Sequence, residues 1–214
     1  MEEQTVVLIV GAGPAGLATA ACLTQLSIPY VIVEREDCSA SLWRNRAYDR
    51  LKLHLAKEFC ELPHMSYPAD APIYIPKDQF VKYLDNYIEC FNIRPKYHTA
   101  IESCSYDKVR KCWFGMARDM TTLVVVRFMA RFLVVASGEN SAANIPILSL
   151  GCMSFLERLF THQGTNQAPP TRGRMYLWLG VATLEWKSLT TLHHMVLIHP
   201  LLFVARYVCY FFCI

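Results

Sequence analysis

No two cysteines in this sequence are spaced CxxC, and their number, nine, is odd. A disulfide framework is therefore excluded as the organising device, and the pattern fits a reducing compartment with incidental thiols. Cysteines and histidines do not fall at ligand spacing, so no metal site is expected. Charge of one sign is not in excess either: 21 basic and 18 acidic residues leave a net +3, which makes no case for a nucleic-acid partner. The start of the chain lacks a secretory signal, because Glu2 and Glu3 are acidic and the apolar run Val6 to Val10 ends at once in glycine. A cytoplasmic protein is expected. Internal repeats and low-complexity runs are missing as well. Acids nearly vanish late in the chain: from Leu148 onward only Glu157 and Glu185 remain among 214 residues. Length allows one domain with a good core, or two small ones, and this change in composition divides the chain near residue 146.

What is present centres on Val6 to Glu34. Val6 to Val10 are too few for a helix and predict a buried strand. Gly11-Ala12-Gly13-Pro14-Ala15-Gly16 follows directly. Leu17, Ala18, Ala20, Ala21, Leu23 and Leu26 then predict an apolar helix, and Tyr30 to Val33 a second strand ending at Glu34. Each glycine has a physical role if a dinucleotide lies here: Gly11 for the tight turn, Gly13 for close approach of the pyrophosphate, Gly16 for packing of helix on strand. Free amides and the positive end of the helix dipole then face the phosphates. A carboxylate at Glu34 accepts hydrogen bonds from ribose hydroxyls and repels a 2′-phosphate, which favours FAD or NAD over NADP at this turn. The candidate cofactor-binding residues of this unit are Gly11, Gly13, Pro14, Ala15, Gly16, Glu34 and Arg35.

Beyond a polar loop stand Trp43-Arg44 and the segment YDRLKLHLAKEFCELPHMSYP, from Tyr48 to Pro68. Tyr67-Pro68, Ile75 to Phe80, a helix around Val81 to Tyr87, and the run from Arg131 to Asn140 follow. With the glycine turn, these motifs resemble the plant YUCCA group of flavin-containing monooxygenases, over about the first two thirds of the chain. Ser137 stands where the group has threonine and keeps the hydroxyl; Ala56 stands where proline is common. The resemblance implies an oxidoreductase that binds FAD, takes electrons from NADPH, uses O2, and converts indole-3-pyruvate, or a related keto acid, to the auxin indole-3-acetate. It adds Trp43 and Arg44 as flavin-lining residues, and Ala136, Ser137 and Gly138 as the crossing toward an NADPH domain. No side chain is expected to act as a catalytic nucleophile. The fold expected is α/β, a Rossmann-like FAD-binding domain over residues 1–146. It combines a parallel sheet with a β-meander, built from Tyr106 to Trp113 and Thr122 to Val126, and is joined to an incomplete second dinucleotide domain.

The bland alternatives are specific. Trp43 has a place in a core. His54 alternates with Leu51, Leu53 and Leu55, which suits the polar face of a strand as well as a position facing substrate. Lys52 and Lys57 read as solvated charges.

Residues 147–214 lack what the resemblance requires next, a second glycine turn for NADPH. Met195 to Ile214 is apolar, but His199, Pro200 and Arg206 interrupt it, so no genuine membrane span is expected. A displaced reading frame accounts for the difference. When each alternative codon takes its first base from one displayed codon and two from the next, Tyr176 to Lys187 permits VLVVGCGNSGME, a strand and a second glycine turn. Ser188 to Val204 permits a helix and a strand ending in arginine, which suits a 2′-phosphate. Glu157 to Ala168 permits GEVIHSSGYKSG, the missing upstream segment. Residues 147–214 are thus expected to be an aberrant apolar tail in place of the NADPH-binding domain, weakly packed because it was not selected as protein.

Overall fold

A computed structural model describes residues 2–138. The expectations for the tail, and for Glu139 and Asn140, lie outside the described residues. One five-stranded sheet, in the order β2-β1-β5-β4-β3, forms the frame. Its centre is β1 (Glu2–Val10), with β2 (Tyr30–Val33) and β5 (Val125–Val135) parallel to it on either side. Val10 is in register with Val33 and with Val135, so the three strands end together. β3 (Thr99–Asp107) and β4 (Cys112–Asp119) continue the sheet beyond β5 as an antiparallel hairpin.

One helix covers a face of the sheet and a second packs against that helix. α1 (Pro14–Gln25) is rich in alanine and leucine, and Gly16, Leu17, Ala18, Ala20, Ala21, Cys22 and Leu23 are all buried. Such a helix sits between layers, because no face of it is left for water. α2 (Lys77–Cys90) is amphipathic, burying Phe80, Tyr83, Leu84 and Tyr87 at the spacing of one helical stripe. On the opposite face of the sheet Leu8, Val33, Ala117, Phe128 and Ala130 form a smaller core.

Several expectations are corrected in detail. β1 begins at Glu2 and not Val6, because Glu2 to Thr5 pair with Arg127 to Ala130. The strand expected at Thr122 to Val126 begins at Val125 and runs on to Val135 as β5. Val125 to Ala130 of β5 pair with β4 and Arg127 to Val135 with β1, so the meander extends the sheet. Tyr106 to Trp113 is a hairpin turn with strand ends, held by the Asp107 carboxylate, which accepts hydrogen bonds from the amides of Val109 (2.8 Å) and Arg110 (3.0 Å). The LKLHLAK segment is not a strand: its only ladder contact among the described residues is a single bridge, Lys52 to Pro76. Alternation survives nonetheless, with Leu53 buried and Lys52 and His54 exposed.

Candidate functional site

The common ends of β1, β2 and β5 open into a cleft of about 500 Å³, within the usual range for a bound cofactor and at the carboxyl edge where open α/β sheets bind ligands. Gly11 leaves β1 at φ +103°, and a Cβ on it would lie 2.5 Å from the Ala136 carbonyl oxygen. The turn is thereby pressed against the end of β5, and the Ala136 amide donates back to Val10 O at 2.8 Å. At Gly16 a Cβ would meet the Gly11 carbonyl oxygen at 2.0 Å. The tight contact is thus within the turn itself, with Ile32 of the second strand also adjacent at 3.5 Å. A Cβ on Gly13 would meet nothing within 4 Å; this residue opens onto the cleft, where a bulky group has room.

Gly13 is also the N-cap of α1, with Pro14 starting the helix, no side-chain cap and no acid in the first turn. The positive end of the helix is left uncompensated toward the cleft, as an anion requires. Across from it, Glu34 is fixed by backbone: Oε2 accepts from the Ala12 amide at 2.7 Å and Oε1 from the Glu36 amide at 3.1 Å. Each oxygen keeps a further lone pair, so the carboxylate remains an acceptor held at a set angle. A turn with amides at an uncapped helix end, open space at Gly13 and a positioned acid fits the phosphates and ribose of a dinucleotide.

The walls bring most of the expected residues together. Gly11, Gly13, Pro14, Ala15, Glu34 and Arg35 line the cleft, as do Ala136, Ser137 and Gly138. Gly16 lies buried behind the turn. Trp43 lines the cleft while its ring meets Phe80 of α2 edge-on at 4.7 Å. Arg44 is the exception. It sits on a π-helical turn (Leu42–Arg46) and points its guanidinium at Asp85 of α2, with Nε donating to Ser39 O at 2.8 Å. An ion pair and a carbonyl on the α2 side keep it out of the cleft wall, and Arg46 lines the cleft instead.

Sequence reasoning did not find Thr99, Ala100 and Ile101, which the start of β3 carries into the cleft. Lys52, His54 and Cys60 line it too; burial pushes the Cys60 thiol pKa up, which makes it a weaker nucleophile. Lys57 departs from expectation: it is not a solvated charge. Its ammonium donates to the carbonyls of Pro68 (3.3 Å), Ala69 (3.0 Å) and Ala71 (2.8 Å). Ala56 has φ −63° and ψ 149°, a conformation proline shares, so its departure from the usual residue leaves the turn intact. All six cysteines among the described residues are free thiols. Among those residues, no group of three or more histidines, cysteines or acids is placed to hold a metal, and no helix is long and apolar enough to cross a membrane.

An open glycine turn, a carboxylate locked beside it and a cleft at the carboxyl edge of a parallel sheet are the features of a Rossmann-like dinucleotide-binding fold. The chain belongs to the pyridine nucleotide-disulphide oxidoreductase family, whose profile matches residues 8–155. The chain is also similar to plant proteins. The chain is 52% identical over 145 residues to the probable indole-3-pyruvate monooxygenase YUCCA10 of Arabidopsis thaliana, covering 68% of this chain and 38% of that one. It is 45% identical over 141 residues to the indole-3-pyruvate monooxygenase YUCCA6 of the same plant, covering 65% and 33%. The match thus spans well under half the length of these relatives. Among solved structures, a flavin-containing monooxygenase from Stenotrophomonas maltophilia superposes with a TM-score of 0.58 at 22% identity, covering 67% of this chain and 41% of that one. A bacillithiol disulfide reductase from Bacillus cereus does so at 0.59 and 18%, covering 69% and 45%. These last two share the fold.

Proposed function

We propose that residues 1–146 are the FAD-binding domain of a flavin-dependent monooxygenase that draws on NADPH and O2 to convert indole-3-pyruvate, or a related keto acid, to indole-3-acetate. The observation that carries the reading is the Glu34 carboxylate, clamped by the Ala12 amide beside an open, uncapped glycine turn. It is joined by close identity to proteins named for that reaction. Bound FAD would supply the redox chemistry. The chain's own residues bind and shield: Gly13 and the first amides of α1 receive pyrophosphate, Glu34 receives ribose, Trp43 and Arg46 orient the cofactor from one wall, and Leu53 and Leu55 keep water from the other.

A second reading is favoured by one feature of the sequence. Residues 147–214 carry no second glycine turn as displayed, whereas a displaced frame permits one over Tyr176 to Lys187. We infer that this stretch is out of frame, and that the chain as translated binds FAD without receiving hydride. The anaerobic visible spectrum of the purified chain separates the two. Bleaching of bound flavin by NADPH supports the complete enzyme; oxidised flavin that only dithionite bleaches supports the fragment. Sequencing the transcript across Ile145 to Gly151 tests the frame directly, and the inference fails if no alternative frame encodes the missing motifs.

A further inference from the structure

The segment from Ala47 to Lys77 forms one wall of the cleft with almost no regular structure, and a pair of lysines holds it at both ends. Residues 51–57 and 73–77 run as an irregular two-stranded ribbon: the Leu53 amide donates to Ile75 O at 2.8 Å, Lys57 to Ile73 O at 2.7 Å, and Lys77 to Leu51 O at 2.9 Å. At one end Lys57 gathers the carbonyls of Pro68, Ala69 and Ala71. At the other, the Lys77 ammonium donates to Ala47 O at 2.7 Å and lies 3.6 Å from Asp49. Its side chain is only 13% exposed. Between these two clamps lie Leu51, Lys52, Leu53, His54 and Leu55, all on the cleft wall.

A ribbon with one isolated bridge has little cooperative backbone support of its own. Hydrogen bonds to a charged donor are about twice as strong as neutral ones, and Lys57 spreads one charge over three carbonyls, of which Pro68 O also accepts from the Ala71 amide at 3.0 Å. We propose that Lys57 and Lys77 are positioning residues, ammonium clamps that fix the distance of the 51–55 wall from the glycine turn and thereby set the affinity for the bound cofactor. The proposal rests on the FAD reading for its functional half. Its structural half, that the clamps hold the ribbon, stands apart from it.

The test uses the full 214-residue chain and its Lys57→Ala variant, with amide hydrogen exchange across residues 51–60 and FAD titration, each with and without added ethylammonium. Lys57→Ala is expected to exchange roughly tenfold faster at the amides of Leu53 and of position 57 and to bind FAD roughly tenfold more weakly, the loss of about one charge-assisted hydrogen bond. Ethylammonium, entering the vacated carbonyl cage, restores both. Unchanged exchange overturns the proposal, as does faster exchange with unchanged FAD affinity, which would leave Lys57 a stabilising residue only. Loss of both that ethylammonium does not restore overturns the cage. If the parent chain binds no FAD, the flavin reading fails while the exchange result still decides whether the clamp exists. Should Lys57→Ala not fold, Lys77→Met carries the same two measurements at the other end of the ribbon, without the rescue.

Discussion

The glycine-turn unit and the cleft wall opposite it are held together by different means. From β1 through β2 the chain is fixed by backbone: parallel ladders in register from Val7 to Val10, amides at Gly11 and Ala12, and glycines where a side chain has no room. From Ala47 to Lys77 it is fixed by side chains reaching back to main-chain groups. Tyr83 alone accepts from the Leu62 amide at 2.8 Å and donates to Met65 O at 2.6 Å, and Tyr87 donates to Pro63 O at 2.8 Å. Backbone-built parts tolerate changes of side chain but not added atoms in the turn; side-chain-built parts have the opposite sensitivity.

The largest expected effect follows from the first half of that contrast. Gly16→Ala sets a Cβ against the Gly11 carbonyl oxygen, an overlap that backbone relieves only by moving, and should cost about 3 kcal/mol. Urea unfolding measures it, and a cost below about 1 kcal/mol would show that the turn has slack. The second half predicts a similar but smaller loss: Tyr83→Phe, which keeps the ring stacked on Tyr67 (centroids 4.2 Å apart), strands the Leu62 amide and the Met65 carbonyl at about 2 kcal/mol.

Tyr83 also sets a pH dependence. Burial pushes its pKa from 10 up to about 12, so the folded state holds the proton longer than the unfolded one. Its contribution is complete below pH 10 and is lost as pH rises through about 12. Alkaline unfolding should begin in that window and be shallower in the Phe variant. Between the arginines, Arg46→Ala should weaken FAD binding roughly tenfold, as loss of one charge-assisted contact would. Arg44→Ala should affect mainly stability, because its charge is spent on Asp85; equal losses of affinity would erase the distinction. The smallest effect lies far from the cleft. Asp119, whose pKa is lowered to about 2 by hydrogen bonds from Thr121 and Thr122, should hold its turn above pH 4 and release it as pH falls through about 2, seen as faster exchange of those two amides.

The same contrast explains what was legible in the sequence. The turn, α1, β2 and Glu34 follow from local pattern: an apolar run, glycines, a helical apolar spacing, an acid at a strand end. Ser137 and Gly138 were reached through a motif. By contrast, Arg44 and Arg46 differ only in the direction of a single π-helical turn, which a loop between motifs does not reveal. Lys57 looked solvated because the carbonyls it serves lie eleven to fourteen residues away in a stretch without periodicity. Thr99 to Ile101 enter the cleft because the Thr99 amide donates to Glu34 O at 2.7 Å, a contact between distant parts of the chain that no local signal specifies.

We propose an FAD site at the turn and Glu34 of the chain as it stands. Its most direct test is to purify the 214-residue chain with FAD, pass it through gel filtration, and measure bound flavin by its visible absorbance. About one flavin per chain, falling to background in Gly16→Ala and strongly reduced in Glu34→Ala, is the result expected. Flavin-free protein that remains folded, or retention untouched by both substitutions, would contradict it.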